Sequence, residues 1–246
     1  MADLFFPQLT TGCLVQYPAK RSKSVRTVIN EMQDGSVLLS SDPDGSLLSW
    51  NLGYSGLTVD EVAALQSLFE ATKGRYRAFT FADPFDNLLS TTWHSSPLLQ
   101  VNGTTYTNTG NSPAELSQTL PLPASYQFCF SLTASAMQGG QGSIVVIRRG
   151  PSIESRTQID VGRSSFVSGA LADPGVGFTV AVELEPGQMA DLSGMQLEVQ
   201  PVPSPFREAS AKGGVYTNAH WGMDELLFSA TAPNSFSVNL QIEAHV

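Results

Sequence analysis

Few side chains in this 246-residue chain are suited to metal, acid–base or nucleophilic chemistry. The three histidines are His94, His220 and His245, and none has a second histidine four residues on, so no helical zinc pair exists. His245 reads as a solvated strand end and His94 as a loop residue. His220, with Asp224 and Glu225 nearby in sequence, reads as a structural hydrogen-bonding group, because no nucleophile motif accompanies it. Cys13 and Cys129 show no CxxC spacing and cannot form a zinc site alone. Each lies in an apolar-alternating stretch and is expected to be a buried free thiol, with a disulfide between them as the alternative.

Several short motifs fall short of the chemistry they suggest. Gly53-Tyr54-Ser55-Gly56 lacks the G-x-S-x-G pattern of a nucleophile elbow. Gly139-Gly140-Gln141-Gly142-Ser143 has no lysine for a phosphate and reads as a hairpin loop. Asp42-Pro43-Asp44-Gly45 starts like a calcium loop, but Gly53 stands where the closing glutamate belongs, so a turn is expected. Glu183 and Glu185 are placed on one strand face, and alternating acids are the wet side of a strand before they are a glycosidase pair. No catalytic residue, cofactor or metal site is expected, and no enzyme activity.

Binding residues are a different matter. Exposed aromatics stack on sugar rings, and Trp93, Tyr106 and Tyr126 are the candidates, although Tyr126 alternates with Phe128 as a core residue does. Lys20, Arg21, Lys23 and Arg26 form the basic cluster. It is either a strand edge guarded by charge or a contact to another subunit or an acidic partner.

Composition narrows the class. Charged residues make up only 14% of the chain against 41% hydrophobic, and 21 Gly and 15 Pro favour turns and short strands over long helices. The formal net charge of -9 is the reverse of what a sequence-nonspecific nucleic-acid binder carries, so free DNA or RNA is not an expected ligand. No stretch approaches 18 consecutive apolar residues, and MADLFFPQL lacks the basic and apolar regions of a signal peptide; neither a membrane span nor a leader is expected.

The elements that would position these residues are mostly strands. Alternation predicts strands over Thr11–Tyr17, Val25–Ile29, Val37–Leu39 and Leu47–Trp50, with turns at Asp34-Gly35 and Asp42–Gly45. Thr58 and Glu61 form a capping box that opens one α-helix over about 58–73, with Gly74 at its C-terminal cap. A strand over Arg75–Phe81 ends at Asp83-Pro84, and Asp86-Asn87 adds a second break.

From 88 to 205 the composition changes, with no lysine, four arginines and eight acids. Asn102-Gly103 marks a hairpin between Leu98–Val101 and Thr104–Thr107. Alternating runs around Tyr126–Leu132, Ile144–Ile147, Ile159–Val161, Phe166–Val167, Phe178–Val182 and Met195–Val199 complete the pattern of an antiparallel jelly-roll β-sandwich. Pro201, Pro203 and Pro205 form a stiff exit. The last 40 or so residues, with strands at Leu226–Phe228 and Phe236–Ile242, are too few to fold alone and need a sheet to join. The chain is therefore expected to be mainly β, with a discontinuous hub domain of 1–87 and 206–246 and an inserted sandwich of 88–205.

The order of basic loop, strands, capped helix and Gly74-Arg75-Tyr76-Arg77-Ala78-Phe79-Thr80-Phe81-Ala82-Asp83-Pro84 resembles the distal tail proteins of long-tailed bacteriophages and gene transfer agents. The stretch from Gly213-Gly214-Val215-Tyr216 through Asp224 to the last strand is similar to that family's C-terminal return. The middle, ending in Met195–Gln200 and Pro201–Phe206, resembles carbohydrate-binding-module-like jelly rolls.

The resemblance implies a structural virion protein assembled in the host cytoplasm and located at the tail tip. It would form a hexameric ring that joins the tail tube protein to the tip or baseplate hub, beside the tape-measure protein. Its inserted module would face outward, toward host-surface glycan. It implies no cofactor, no sequence-specific nucleic acid and no membrane insertion. The alternatives are a glycan-binding adhesion protein without a ring role and, third, an all-β hydrolase.

Overall fold

The structure is a computed structural model that describes residues 4–123, 125–139, 144–149, 152–168 and 176–246. It is mainly β. Among the described residues the strands are β1 (Ala19–Glu31), β2 (Val37–Leu57), β3 (Phe79–Ala82), β4 (His94–Ser95), β5 (Leu99–Asn102), β6 (Thr105–Asn108), β7 (Ala114–Pro123), β8 (Cys129–Gln138), β9 (Ile144–Arg149), β10 (Ser152–Gln158), β11 (Gly162–Val167), β12 (Val176–Leu184), β13 (Met189–Glu198), β14 (Val215–Trp221), β15 (Ser229–Ala232) and β16 (Ser235–His245). One α-helix, α1 (Val59–Thr72), is followed by a single 3-10 turn over Gly74–Tyr76.

The chain divides into two compact units. The first holds residues 1–7, 15–81 and 216–246, and the second holds 8–14 and 82–215. The divisions thus fall at 81/82 and 215/216 rather than at 87/88 and 205/206, and 8–14 joins the second unit. The physical reason lies in hydrogen bonds made by the backbone of Asp83 and the side chain of Gln8. Asp83 donates its backbone N–H to the Gly214 carbonyl, and Gln8 exchanges hydrogen bonds with the Gln127 backbone at 2.8 and 2.9 Å.

The first unit is a six-stranded sheet in the order β1-β2-β16-β14-β3, with β15 on β16. Its core is aromatic: the rings of Phe6, Phe69 and Phe79 lie 5.2–6.3 Å from one another or from Trp221, and Phe81 packs 5.1 Å from Trp50. The helix starts as its sequence predicts, with the Thr58 side chain accepting from the Glu61 amide and Glu61 reaching back to the Thr58 amide. It ends one residue earlier than expected, because Lys73 rather than Gly74 takes the first left-handed position (φ 54°).

Four expectations are corrected. Thr11–Tyr17 is not a strand. Asp42–Gly45 is not a turn: β2 runs unbroken through it, and the extra residues are taken up by a register shift between Ser24↔Leu47 and Arg26↔Asp42. Leu226–Phe228 is irregular, and the strand lies just beyond it at β15. The strand expected over Arg75–Phe81 shortens to β3, because the 3-10 turn occupies its first residues.

The second unit is a sandwich of two five-stranded antiparallel sheets, β10-β9-β12-β7-β4 and β11-β8-β13-β6-β5. Inward-facing apolar residues from both sheets fill it. Phe128, leading into β8 of one sheet, stacks at 3.8 Å on Phe178 of β12 in the other. The Asn102-Gly103 hairpin forms between β5 and β6, with Gly103 at φ +61°. Ile159 and Val161 are outside strands, although Ile159 is buried. The Gly140–Ser143 part of the expected glycine loop lies outside the described residues.

Candidate functional sites

The hairpin of β1 and β2 is the feature of the first unit with the most exposed chemistry. Near its root, β1 lies along the sheet edge and Leu48, Trp50 and Leu52 of β2 turn inward to the core. Beyond the register shift the two strands continue as a ribbon in which all residues from Thr27 to Ser41 except the half-buried Val28 are exposed. Cross-strand partners share a face. Thr27/Ser41, Ile29/Leu39 and Glu31/Val37 therefore make one face, and Val28/Ser40 and Asn30/Leu38 the other. Ile29, Leu39 and Val37 are 61%, 64% and 55% exposed.

The basic cluster sits on β1 of this hairpin. Lys20, Arg21, Lys23 and Arg26 are all exposed on the edge strand, and Arg26 pairs with Asp42 at 3.6 Å. They belong to one strand but not one face. Lys20 pairs with Asn51 on the outer face of the sheet, whereas Arg21 and Lys23 pair with Trp50 and Leu48 on the core side. Beside Lys20 the outer face holds an open cleft of about 810 Å³ lined by Tyr17, Asn51, Gly53, Met223, Asn239 and Gln241, among others. Sequence reading missed both the apolar tip and this cleft. The alternation of Val25, Thr27 and Ile29 signalled a half-buried strand, and nothing in the residues says that no second layer covers it.

The three aromatic candidates of the second unit are not brought together. Trp93 is half-buried and immediately precedes β4, in one sheet. Tyr106 is half-buried in β6 of the other sheet, between Val101 and Ala190, and burial raises its hydroxyl pKa. Tyr126 is corrected as a stacking platform: it is 7% exposed, packs 6.0 Å from Phe128, and burial pushes its hydroxyl pKa up.

The remaining reactive groups are held structurally. Nδ1 of His220 lies 3.1 Å from the Arg75 carbonyl, not against Asp224 or Glu225. Glu183 forms an ion pair with Arg156 at 3.0 Å, and Glu185 lies beyond the end of β12, so the two do not form a carboxylate pair on one strand. Both cysteines are free thiols, with Cys129 buried and Cys13 half-buried. Burial, reinforced by the Glu198 charge and opposed by Arg163, pushes the Cys129 thiol up to about 11. Among the described residues no group of three His, Cys, Asp or Glu side chains could hold a metal ion, and no helix is long and apolar enough to cross a membrane.

No protein-family model matches the chain, and no curated protein is significantly similar to it. Solved structures do resemble parts of it. The C-terminal CBM6 domain of LamC, a marine laminarinase from Zobellia galactanivorans, is 10% identical over 48% of this chain and 98% of that domain, with a TM-score of 0.26. A family two carbohydrate esterase from Cellvibrio japonicus is 15% identical over 52% of this chain and 36% of its own, also with a TM-score of 0.26. TmCBM61, solved with β-1,4-galactotriose, is 13% identical over 74% of this chain and 89% of its own, with a TM-score of 0.23.

Proposed function

We propose that this chain is a structural assembly subunit that closes into a ring at the distal end of a phage-like tail, between tube and tip. It acts by binding other protein chains, not by catalysis. The observation that carries the reading is the β1–β2 hairpin, which holds Ile29, Val37 and Leu39 more than half exposed. A monomer rarely leaves such a cluster in water without a partner for it. The sequence resemblance of Gly74–Pro84 and Gly213–Asp224 to distal tail proteins gives the assembly its place, and the acidic net charge of -9 suits a ring around a DNA path. Negative-stain images of the purified protein test this. Closed rings of uniform diameter are expected, and fields of single small particles at every concentration contradict it.

A second activity is compatible with this one. The sandwich of the second unit carries two partly exposed aromatic rings, Trp93 and Tyr106, of the kind that stack on sugars. A ring would present each weak site many times over, which raises avidity without new contacts. Binding to a glycan array is expected, with Trp93→Ala and Tyr106→Ala combined weakening it roughly tenfold, the loss of about one stacked ring at each separate site. Binding unchanged in the double variant removes both residues from any glycan site.

A further inference from the structure

We infer that the tip of the β1–β2 hairpin of one copy docks into the outer-face cleft of the next copy. The inference deepens the ring reading and rests on it. A two-stranded ribbon in water is marginally stable at best. Residues 27–41 form such a ribbon, exposed on both faces, with Ile29, Leu39 and Val37 on one of them.

The ribbon does not fold back to cover itself: β2 continues from Val37 into the core sheet, and Ile29, Val37 and Leu39 stay more than half exposed. Pairing two β1 edges side by side would satisfy backbone groups but leave both faces, and so Ile29 and Leu39, in water. A surface that receives a face, not an edge, is required.

The cleft meets that requirement. It lies on the outer face of the same sheet, and exposed Tyr17 and half-buried Met223 offer apolar contact. Asn51 and Asn239 offer side-chain amides to polar groups at the rim of the docked face, and Gly53 keeps the floor flat.

Charge gives the direction. Residues 27–41 contain two acids, Glu31 and Asp34, and no base. The Ser36 hydroxyl and amide hold the Asp34 carboxyl below its ordinary pKa, so it stays anionic. The cleft contains the exposed base Lys20, on the same outer face as Asn51. Tip and root are thus complementary between copies. A tip-to-root contact uses two different surfaces of the chain, which is the heterologous geometry that closes a ring.

The test uses the full chain and sedimentation velocity over a concentration series. Ile29→Ser with Leu39→Ser, both at exposed positions, should weaken self-association at least about tenfold without moving the thermal midpoint. Glu31→Lys with Asp34→Lys should do the same, and adding Lys20→Glu to that variant should restore part of the lost association. Assembly of the parent chain with unchanged assembly of both tip variants overturns tip docking alone and leaves the ring reading standing. A parent chain that stays monomeric throughout overturns both.

Discussion

Trp221→Ala is expected to lower the stability of the first unit by about 3–5 kcal/mol, the range for removing a large aromatic from a closed core. Trp221 is fully buried, and its ring lies 6.0, 5.6 and 5.2 Å from those of Phe6, Phe69 and Phe79. These rings come from the N-terminal segment, α1 and β3, while Trp221 itself comes from the end of β14. One side chain thus joins four parts of the chain that are far apart in sequence. Its indole N–H donates to the Thr72 hydroxyl at 3.0 Å, and that hydroxyl can bond the Leu68 or Phe69 carbonyl at the end of α1. Trp221→Ala therefore leaves a cavity and removes the one donor to the Thr72 hydroxyl, which keeps its own bond to the helix end. Trp221→Phe keeps most of the volume and loses the hydrogen bond, and should cost about 1–2 kcal/mol. Thermal unfolding followed by circular dichroism checks both. A fall of roughly 10 °C or more is expected for the alanine variant, and a shift of a degree or two would show that the aromatic cluster does not hold the unit together.

The second large effect is expected at Asn87. Its side chain is 1% exposed and makes four hydrogen bonds. The amide donates to the carbonyls of Met195 at 2.8 Å and Arg207 at 3.2 Å, and the oxygen accepts the amides of Leu89 and Leu197, each at 3.1 Å. The start of the 82–215 segment is in this way pinned to its end, as a segment that leaves and re-enters a chain at one place requires. Asn87→Ala leaves two buried donors and two part-buried acceptors without this partner, each costing about 1 kcal/mol, for a total of about 4 kcal/mol in the second unit. Asn87→Asp keeps the acceptors, loses the donors and buries a charge, and should be no better. Chemical denaturation monitored by fluorescence reads the loss, and an alanine variant with an unchanged midpoint would contradict the pinning role.

Local rules carried much of the fold. The Thr58/Glu61 capping box, the Asn102-Gly103 hairpin and the alternation of Phe178, Val180 and Val182 all lie in the elements that their residues indicate, because each depends on neighbours only a few positions away. The failures depend on distant partners. Thr11–Tyr17 alternates like a strand, yet Gln8 bonds the Gly12 carbonyl and the Gln127 backbone and holds that stretch as an irregular loop. Asp42-Pro43-Asp44-Gly45 has turn chemistry, but Asp42 pairs with Arg26 of β1 and the chain stays extended through the register shift that follows. β7 went unseen because Pro121 and Pro123 interrupt a run whose Leu116, Leu120 and Leu122 all face the core.

The candidate sites divide the same way. Lys20, Arg21, Lys23 and Arg26 were legible as a cluster because they are adjacent in sequence. The tip was not: the residues of Ile29, Val37 and Leu39 read as ordinary strand interior, and only the tertiary fold leaves them uncovered. Tyr126 showed its core role through its spacing from Phe128, and the 6.0 Å ring contact agrees.

A ring requires that this chain assemble with itself. The most direct measurement is the absolute mass of the purified protein by light scattering over a wide concentration range. A mass that rises to a fixed integer multiple of 26.3 kDa and stops there is expected, as for any closed ring. A constant 26.3 kDa up to the highest concentration would contradict it.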